Sequence, residues 1–96
     1  MESGDCYEAN FEFLQQLTNP EGAKLCHGII EGTLELRPTG HCWLEIGDEV
    51  HDNSNGVRKC CSKDGFYACA KPKNVVKYTL GEALLHHGRF CHCGPW

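Results

Sequence analysis

The sequence lacks a long hydrophobic run, a surplus of basic charge and a leader-like start, and each absence argues against a class of protein. No apolar stretch approaches the roughly 18 residues that a membrane-spanning helix needs, so no membrane association is expected. The formal net charge is -4 and the nine Lys and Arg residues are scattered, which argues against a nucleic-acid-binding surface. The first residues lack the basic start and apolar stretch of a secretory signal, so a cytoplasmic location is expected.

The length of 96 residues suits one domain with one modest core, and neither an internal repeat nor a linker divides it. We therefore predict a single domain over residues 1–96. Eight cysteines and six histidines are many for this length. In a reducing compartment such a content indicates metal binding, catalysis or inert burial rather than disulfides.

A helix is predicted over residues 5–18, because its apolar side chains recur on one helical face. Asp5 can cap this helix, and Glu8 can reach back to the same end as in a capping box. Asn19 precedes Pro20 and is disfavoured in helical geometry, so the helix should end there. The apolar positions are Cys6, Ala9, Phe13, Leu14 and Leu17.

The remaining chain predicts an α+β fold, in which the N-terminal helix packs on a small antiparallel sheet followed by a short C-terminal helix. Thr79 and Glu82 form a second capping pattern, for a helix that closes at Gly88. Residues 57–74 are ambiguous, with a strand considered at 66–69. Strands are expected at 25–30, 33–37, 41–46, 49–52 and 75–78.

One predicted hairpin has a chemical consequence. Gly47 and Asp48 form a tight turn between the strands 41–46 and 49–52, so the end of the second strand returns to the start of the first. Asp52 is thereby expected beside His41, as a histidine base and its orienting carboxylate require. Cys6 lies in the first turn of a helix, where the helix dipole lowers the pKa of a thiol. The order Cys6, His41, Asp52 predicts a nucleophile, a base and an orienting group.

Each of these residues has a structural interpretation as well. Cys6 could be a small apolar residue on the core face of its helix. His41 could be a hydrogen-bonded histidine at a strand start, and Asp52 a turn-forming residue before the loop 53–56.

Three segments together resemble the transglutaminase-like branch of the papain-like superfamily of cysteine hydrolases. They are the helix start at residues 4–7, the His-x-Trp-x-Glu block at 41–45 and Val-His-Asp at 50–52. The chain is also similar to small bacterial and phage proteins of this build. The resemblance implies a papain-like core with Cys6 as nucleophile, His41 as base and Asp52 as orienter.

By the same resemblance, the reaction is hydrolysis or acyl transfer at an amide, ester or isopeptide bond of a peptide or protein substrate, without a cofactor. Tyr7, Trp43 and Glu45 are then candidates for the substrate pocket, although Trp43 could equally be a core residue and Glu45 a solvated charge. The chain departs from the superfamily in two respects, a short interval between Cys6 and His41 and the lack of a glutamine before Cys6.

Two alternatives from other classes stay open. The first is a binding or accessory domain that keeps the fold without the chemistry, which the two departures favour. The second is a zinc-stabilised module, since zinc is usually held by four Cys or His side chains. The ligands considered for it are Cys60, Cys69, Cys91 and Cys93, at irregular spacing.

Overall fold

The computed structural model describes residues 5–17, 21–30, 39–53 and 59–90, with the backbone alone at positions 5, 6 and 39. These ranges form three helices around one five-stranded antiparallel sheet, so the predicted α+β class is confirmed. No helix among them is both long and apolar enough to cross a bilayer. In chain order the elements are α1 (Asp5–Gln16), β1 (Ala23–Ile30), β2 (Thr39–Ile46), β3 (Glu49–Asp52), β4 (Lys59–Ser62), α2 (Lys63–Ala70), β5 (Lys73–Tyr78) and α3 (Leu80–Phe90).

The sheet has the strand order β4-β3-β2-β1-β5, so β2 is the central strand, and β2 and its neighbour β1 have the most buried side chains. Helices α1 and α3 cover one face. Their buried residues Phe11, Leu14 and Ala83 meet Leu25 and Leu44 from the sheet. The other face packs against α2, through a second cluster that consists of Cys26, Ile30, Trp43, Val50 and Ala70. Both faces of β1 and β2 are therefore covered by helices.

Helix α2 corrects the strand considered at residues 66–69, because that segment is helical. Its start is set by Ser62, whose hydroxyl accepts a hydrogen bond from the backbone N–H of Gly65 at 3.0 Å. Its end is set by Lys71, which adopts the left-handed conformation with φ 49° before Pro72. Strand β4 was not predicted, and the strand expected at 33–37 lies outside the described residues.

The capping pattern predicted for α3 is confirmed. The backbone N–H of Thr79 donates to Glu82 at 2.9 Å, and the N–H of Glu82 donates back to the Thr79 hydroxyl at 3.1 Å. Two exposed backbone donors are thereby satisfied reciprocally. The corresponding pattern at Asp5 falls on a side chain outside the described part.

The predicted hairpin between β2 and β3 is present, with Ile46 opposite Glu49 and Leu44 opposite His51. Gly47 turns the chain with φ +60°, a conformation that costs glycine little. The register brings the last residue of β3, Asp52, towards the His41 end of β2.

Candidate functional site

His41 and Asp52 form the centre of the candidate site. Nε2 of His41 lies 2.7 Å from Oδ2 of Asp52, a short charge-assisted distance. Both side chains are partly buried, which shields the pair from bulk water without closing it off. The expected proximity of these two residues is thus present. A carboxylate on one ring nitrogen fixes the tautomer and orientation of an imidazole, as a catalytic base needs.

Asn10 is a site residue that the sequence reasoning missed. It is fully buried on α1, and its amide nitrogen donates to Asp52 Oδ1 at 3.0 Å and to the backbone oxygen of Cys42 at 3.1 Å. Its amide oxygen accepts from the backbone N–H of Asn53 at 3.0 Å. Asn10 therefore ties α1 to the strand ends that carry His41 and Asp52. The available signal was a lone asparagine on an otherwise apolar helix face.

Cys6 is the second residue of α1, and the structure describes its backbone but not its side chain. Two neighbours locate this part of the helix. Cys6 precedes Asn10 by four residues, about one helical turn. A Cβ atom at Gly40 would lie 3.8 Å from the hydroxyl of Tyr7, so the Tyr7 side chain reaches from the first turn of α1 to the residue before His41. The first turn of α1, which contains Cys6, thus contacts the His41 end of β2 through the Tyr7 side chain.

No protein-family model matches the chain, and neither curated proteins nor solved structures provide a significant match. The His41–Asp52 hydrogen bond and the contacts of Asn10 are thus the main support for a function.

Trp43 and Glu45 share a face of β2 with His41, as the alternation predicted, but α2 covers that face. Trp43 is 0% exposed and Glu45 3%, so both side chains are covered in this structure. Their contacts are those of a packed interior, and their role in a substrate pocket stays a prediction. Trp43 stacks on His41 with ring centroids 6.3 Å apart and an interplanar angle of 20°, which supports the imidazole from behind.

Glu45 is a buried carboxylate with several donors. Trp43 Nε1 donates to it at 3.1 Å, Lys77 Nζ at 2.9 Å, and the Tyr67 hydroxyl donates to the same oxygen as Trp43. Burial by itself raises the pKa of Glu45, but these hydrogen bonds outweigh it and lower the pKa to about 2. Glu45 is thus ionised in the folded protein and bonded to α2 and β5.

Tyr7 is the one predicted pocket residue that lies next to the candidate site and keeps partial exposure. Its ring packs against His27 at 6.1 Å, and Nε2 of His27 shares a hydrogen bond of 3.1 Å with the Tyr78 hydroxyl. Burial lowers the pKa of His27, so its imidazole is neutral at neutral pH. The first turn of α1 therefore contacts a neutral histidine through Tyr7, and Tyr78 holds that histidine by a hydrogen bond.

The cysteines considered as zinc ligands separate into two groups. Cys60 lies on β4 and Cys69 on α2, and both are exposed. Cys91 and Cys93 lie outside the described residues. Instead of the four-cysteine set, the structure brings Cys60 close to Glu49 and His51.

Proposed function

We propose that the protein is a cysteine hydrolase or acyltransferase that acts on an amide, ester or isopeptide carbonyl of a peptide or protein. The assignment to the transglutaminase-like branch of the papain-like superfamily is part of this proposal. The observation that carries it is the 2.7 Å hydrogen bond between His41 and Asp52, whose carboxylate is also bonded to Asn10 on the helix that carries Cys6.

The reaction begins with transfer of the Cys6 thiol proton to His41. The thiolate attacks the carbonyl carbon, and the C=O electron pair moves onto oxygen to give a tetrahedral oxyanion. When the oxyanion collapses, the bond to the leaving group breaks and His41 returns its proton to that group. Water or an amine then attacks the acyl-enzyme, loses a proton to His41 and releases Cys6 as a thiol.

The roles of the neighbours follow from their contacts. Asp52 uses Oδ2 for His41 and Oδ1 for Asn10, so its carboxylate is held at both oxygens. It stabilises the imidazolium that forms in the first step without accepting its proton. Backbone N–H groups in the first turn of α1 have no partners earlier in the helix, and they are the candidate donors for the oxyanion.

The alkylation rate of Cys6 against pH, resolved by peptide mass spectrometry, tests the proposal. We expect Cys6 at pH 6 to react about tenfold or more faster than the exposed Cys61, because His41 and the helix start stabilise its thiolate. The variant His41→Ala should lose this advantage, whereas His87→Ala, which alters an exposed histidine of α3, should keep it.

If Cys6 reacts no faster than Cys61 in the wild type, His41 and Asp52 do not activate the Cys6 thiol. The non-enzymatic binding domain then becomes the better assignment. Equal loss in His41→Ala and His87→Ala would also contradict the proposal, because it would show a general effect on the fold rather than activation by His41.

A further inference from the structure

A second cluster of chemically active side chains lies on β3 and β4, at one edge of the sheet. Nε2 of His51 is 3.1 Å from Oε1 of Glu49 and 3.7 Å from Sγ of Cys60. One ligand atom from each residue lies within 4.8 Å of the other two. The strand register produces this arrangement, because His51 pairs directly with Cys60 and Glu49 precedes His51 by two residues.

These distances suit a tetrahedral zinc ion. Bonds of about 2.0–2.3 Å to nitrogen, oxygen and sulfur place neighbouring ligand atoms about 3.3–3.6 Å apart. The separations from His51 Nε2, 3.1 Å to oxygen and 3.7 Å to sulfur, lie on either side of that range. The ligand atoms of Glu49 and Cys60 lie within 4.8 Å of each other and must approach for a cation to bind, but both side chains are exposed and can move without a change of strand register.

We propose that Glu49, His51 and Cys60 bind a divalent cation of the zinc class, with water as the fourth ligand. Thiolate, imidazole and carboxylate together favour zinc over magnesium or calcium, which prefer oxygen ligands alone. Neighbouring residues of a strand point to opposite faces, so this site and the His41–Asp52 pair use different sides of β3. It does not depend on the proposed catalytic function.

The surroundings of the ligands support binding. His51 is 7% exposed, so its ring is held in place, while the exposed Glu49 and Cys60 leave an entry path for the ion. Nδ1 of His51 is buried and has no hydrogen-bond partner among the described residues. In the metal-free protein the Glu49 carboxylate accepts from Nε2–H, so binding requires the tautomer with the proton on Nδ1, which leaves the lone pair of Nε2 for the ion. Binding releases the thiol proton of Cys60 to solvent.

The cation would stabilise the β4 edge of the sheet. All four side chains of β4 are exposed, and among the described strands β4 pairs with β3 alone. Helix α2 follows β4 without a break and covers Trp43 through Phe66. A metal bridge between β3 and β4 therefore stabilises both the edge strand and the helix behind the candidate site.

Titration of the metal-free full chain with Co²⁺ and with Zn²⁺ tests the site. We expect one Co²⁺ to bind with a thiolate-to-cobalt charge-transfer band, and Zn²⁺ to displace it and raise the melting temperature. Cys60→Ser should abolish the band and weaken Zn²⁺ binding about tenfold or more. Glu49→Gln should weaken binding but keep the band, because the thiolate is still present.

Cys61→Ser is the matched control. Cys61 is the next residue and pairs with Val50, so its side chain points to the opposite face of the sheet. We expect this variant to keep both the band and the thermal shift. A wild type without a charge-transfer band would overturn the site. Persistence of the band in Cys60→Ser would also overturn it, since another cysteine would then be the ligand.

Discussion

Asn10 donates a hydrogen bond to Oδ1 of Asp52 at 3.0 Å, while Oδ2 of the same carboxylate lies 2.7 Å from His41. The first helix and the imidazole are therefore linked through one carboxylate. Because α1 also carries Cys6 one turn earlier, Asn10 couples the placement of the proposed nucleophile to that of its base. Its role is one of positioning, since its hydrogen bonds to Asp52, Cys42 and Asn53 hold the segments that carry the proposed base and its orienting carboxylate.

Asn10→Ala should lower both stability and the reactivity of Cys6. The substitution leaves a carboxylate oxygen, the Cys42 carbonyl and the Asn53 N–H without their buried partner, at a cost of about 2 to 4 kcal/mol in the free energy of unfolding. Urea unfolding measures the first effect. Alkylation of Cys6 at pH 6, well below the melting temperature, measures the second.

Gln15→Ala provides the control on the same helix. The Gln15 side chain is exposed and its hydrogen bond to the Phe11 carbonyl is long, at 3.4 Å. We expect its free energy of unfolding to change by less than about 0.5 kcal/mol and Cys6 to react at the wild-type rate. A folded Asn10→Ala variant with wild-type Cys6 reactivity would show that Asn10 has only a structural role.

The acid stability of the protein should depend on Glu45. Its pKa falls from the ordinary 4.5 to about 2 on folding, so the folded state binds its proton more weakly than the unfolded chain does. The resulting stability is fully present above about pH 4.5 and is lost as the pH falls towards 2, on the order of 3 kcal/mol in total. Urea unfolding at several pH values between 7 and 2 measures this loss.

In Glu45→Gln this contribution should be absent. The variant is expected to be less stable than the wild type at pH 7, with a difference that narrows as the pH falls. Glu12→Gln, which alters an exposed carboxylate of α1, should follow the wild-type curve. A constant difference between the wild type and Glu45→Gln across this pH range would contradict the assigned pKa of Glu45.

The proximity of His41 and Asp52 could be predicted because it depends on local rules. Period-two alternation predicted strands β2 and β3, and Gly47 predicted the turn through which they pair. The contribution of Asn10 could not be predicted, since a single polar residue in a helix gives no indication of a partner 42 positions later. Such a contact depends on how α1 lies over the sheet.

The burial of Trp43 and Glu45 could not be predicted from the sequence for a related reason. Alternation correctly put Trp43 and Glu45 on one face of β2, but it could not show that α2 covers that face. Helix α2 itself is only eight residues long, contains Gly65 and has Phe66 and Tyr67 at its centre. Glycine and aromatic residues are weak helix formers, so local preference did not indicate a helix there. Tertiary packing against Trp43 and the Ser62 cap decide its structure.

The described cysteines should differ sharply in reactivity. Burial, with a smaller effect from the charge of Glu45, raises the pKa of the Cys26 thiol to about 12. Cys42 is fully buried as well, whereas Cys60, Cys61 and Cys69 are exposed. In the native state at pH 8 with a chelator present, we expect Cys26 to be alkylated about 1000-fold more slowly than Cys61. Peptide mass spectrometry measures both rates in one sample.

Unfolding in urea should equalise the two rates, which serves as the internal control. Glu45→Gln tests the order of the causes. Since burial is the larger effect, Cys26 should stay protected in this variant as long as it is folded. Rapid labelling of Cys26 in the native protein would contradict this prediction, because it would show that solvent reaches the thiol or that β1 opens locally.

The pairing of β1 with β5 contains a bulge at Gly28, where the neighbouring strand leaves little room for a side chain. Gly28→Ala can therefore be compared with a glycine substitution at an open position. Two residues of β5, Asn74 and Val75, lie opposite Gly28, and Asn74 has φ 56°. A Cβ at Gly28 would lie 3.0 Å from the Lys73 carbonyl oxygen and 3.2 Å from a Val75 methyl carbon, so Gly28→Ala should destabilise the protein by about 1 to 3 kcal/mol. A Cβ at Gly88, inside α3, would meet no atom within 4 Å. Gly88→Ala should therefore stabilise the protein by up to about 1 kcal/mol. Urea unfolding measures the free energy of unfolding of both variants. If Gly28→Ala is as stable as the wild type, the backbone of β5 moves at the bulge without an energetic cost.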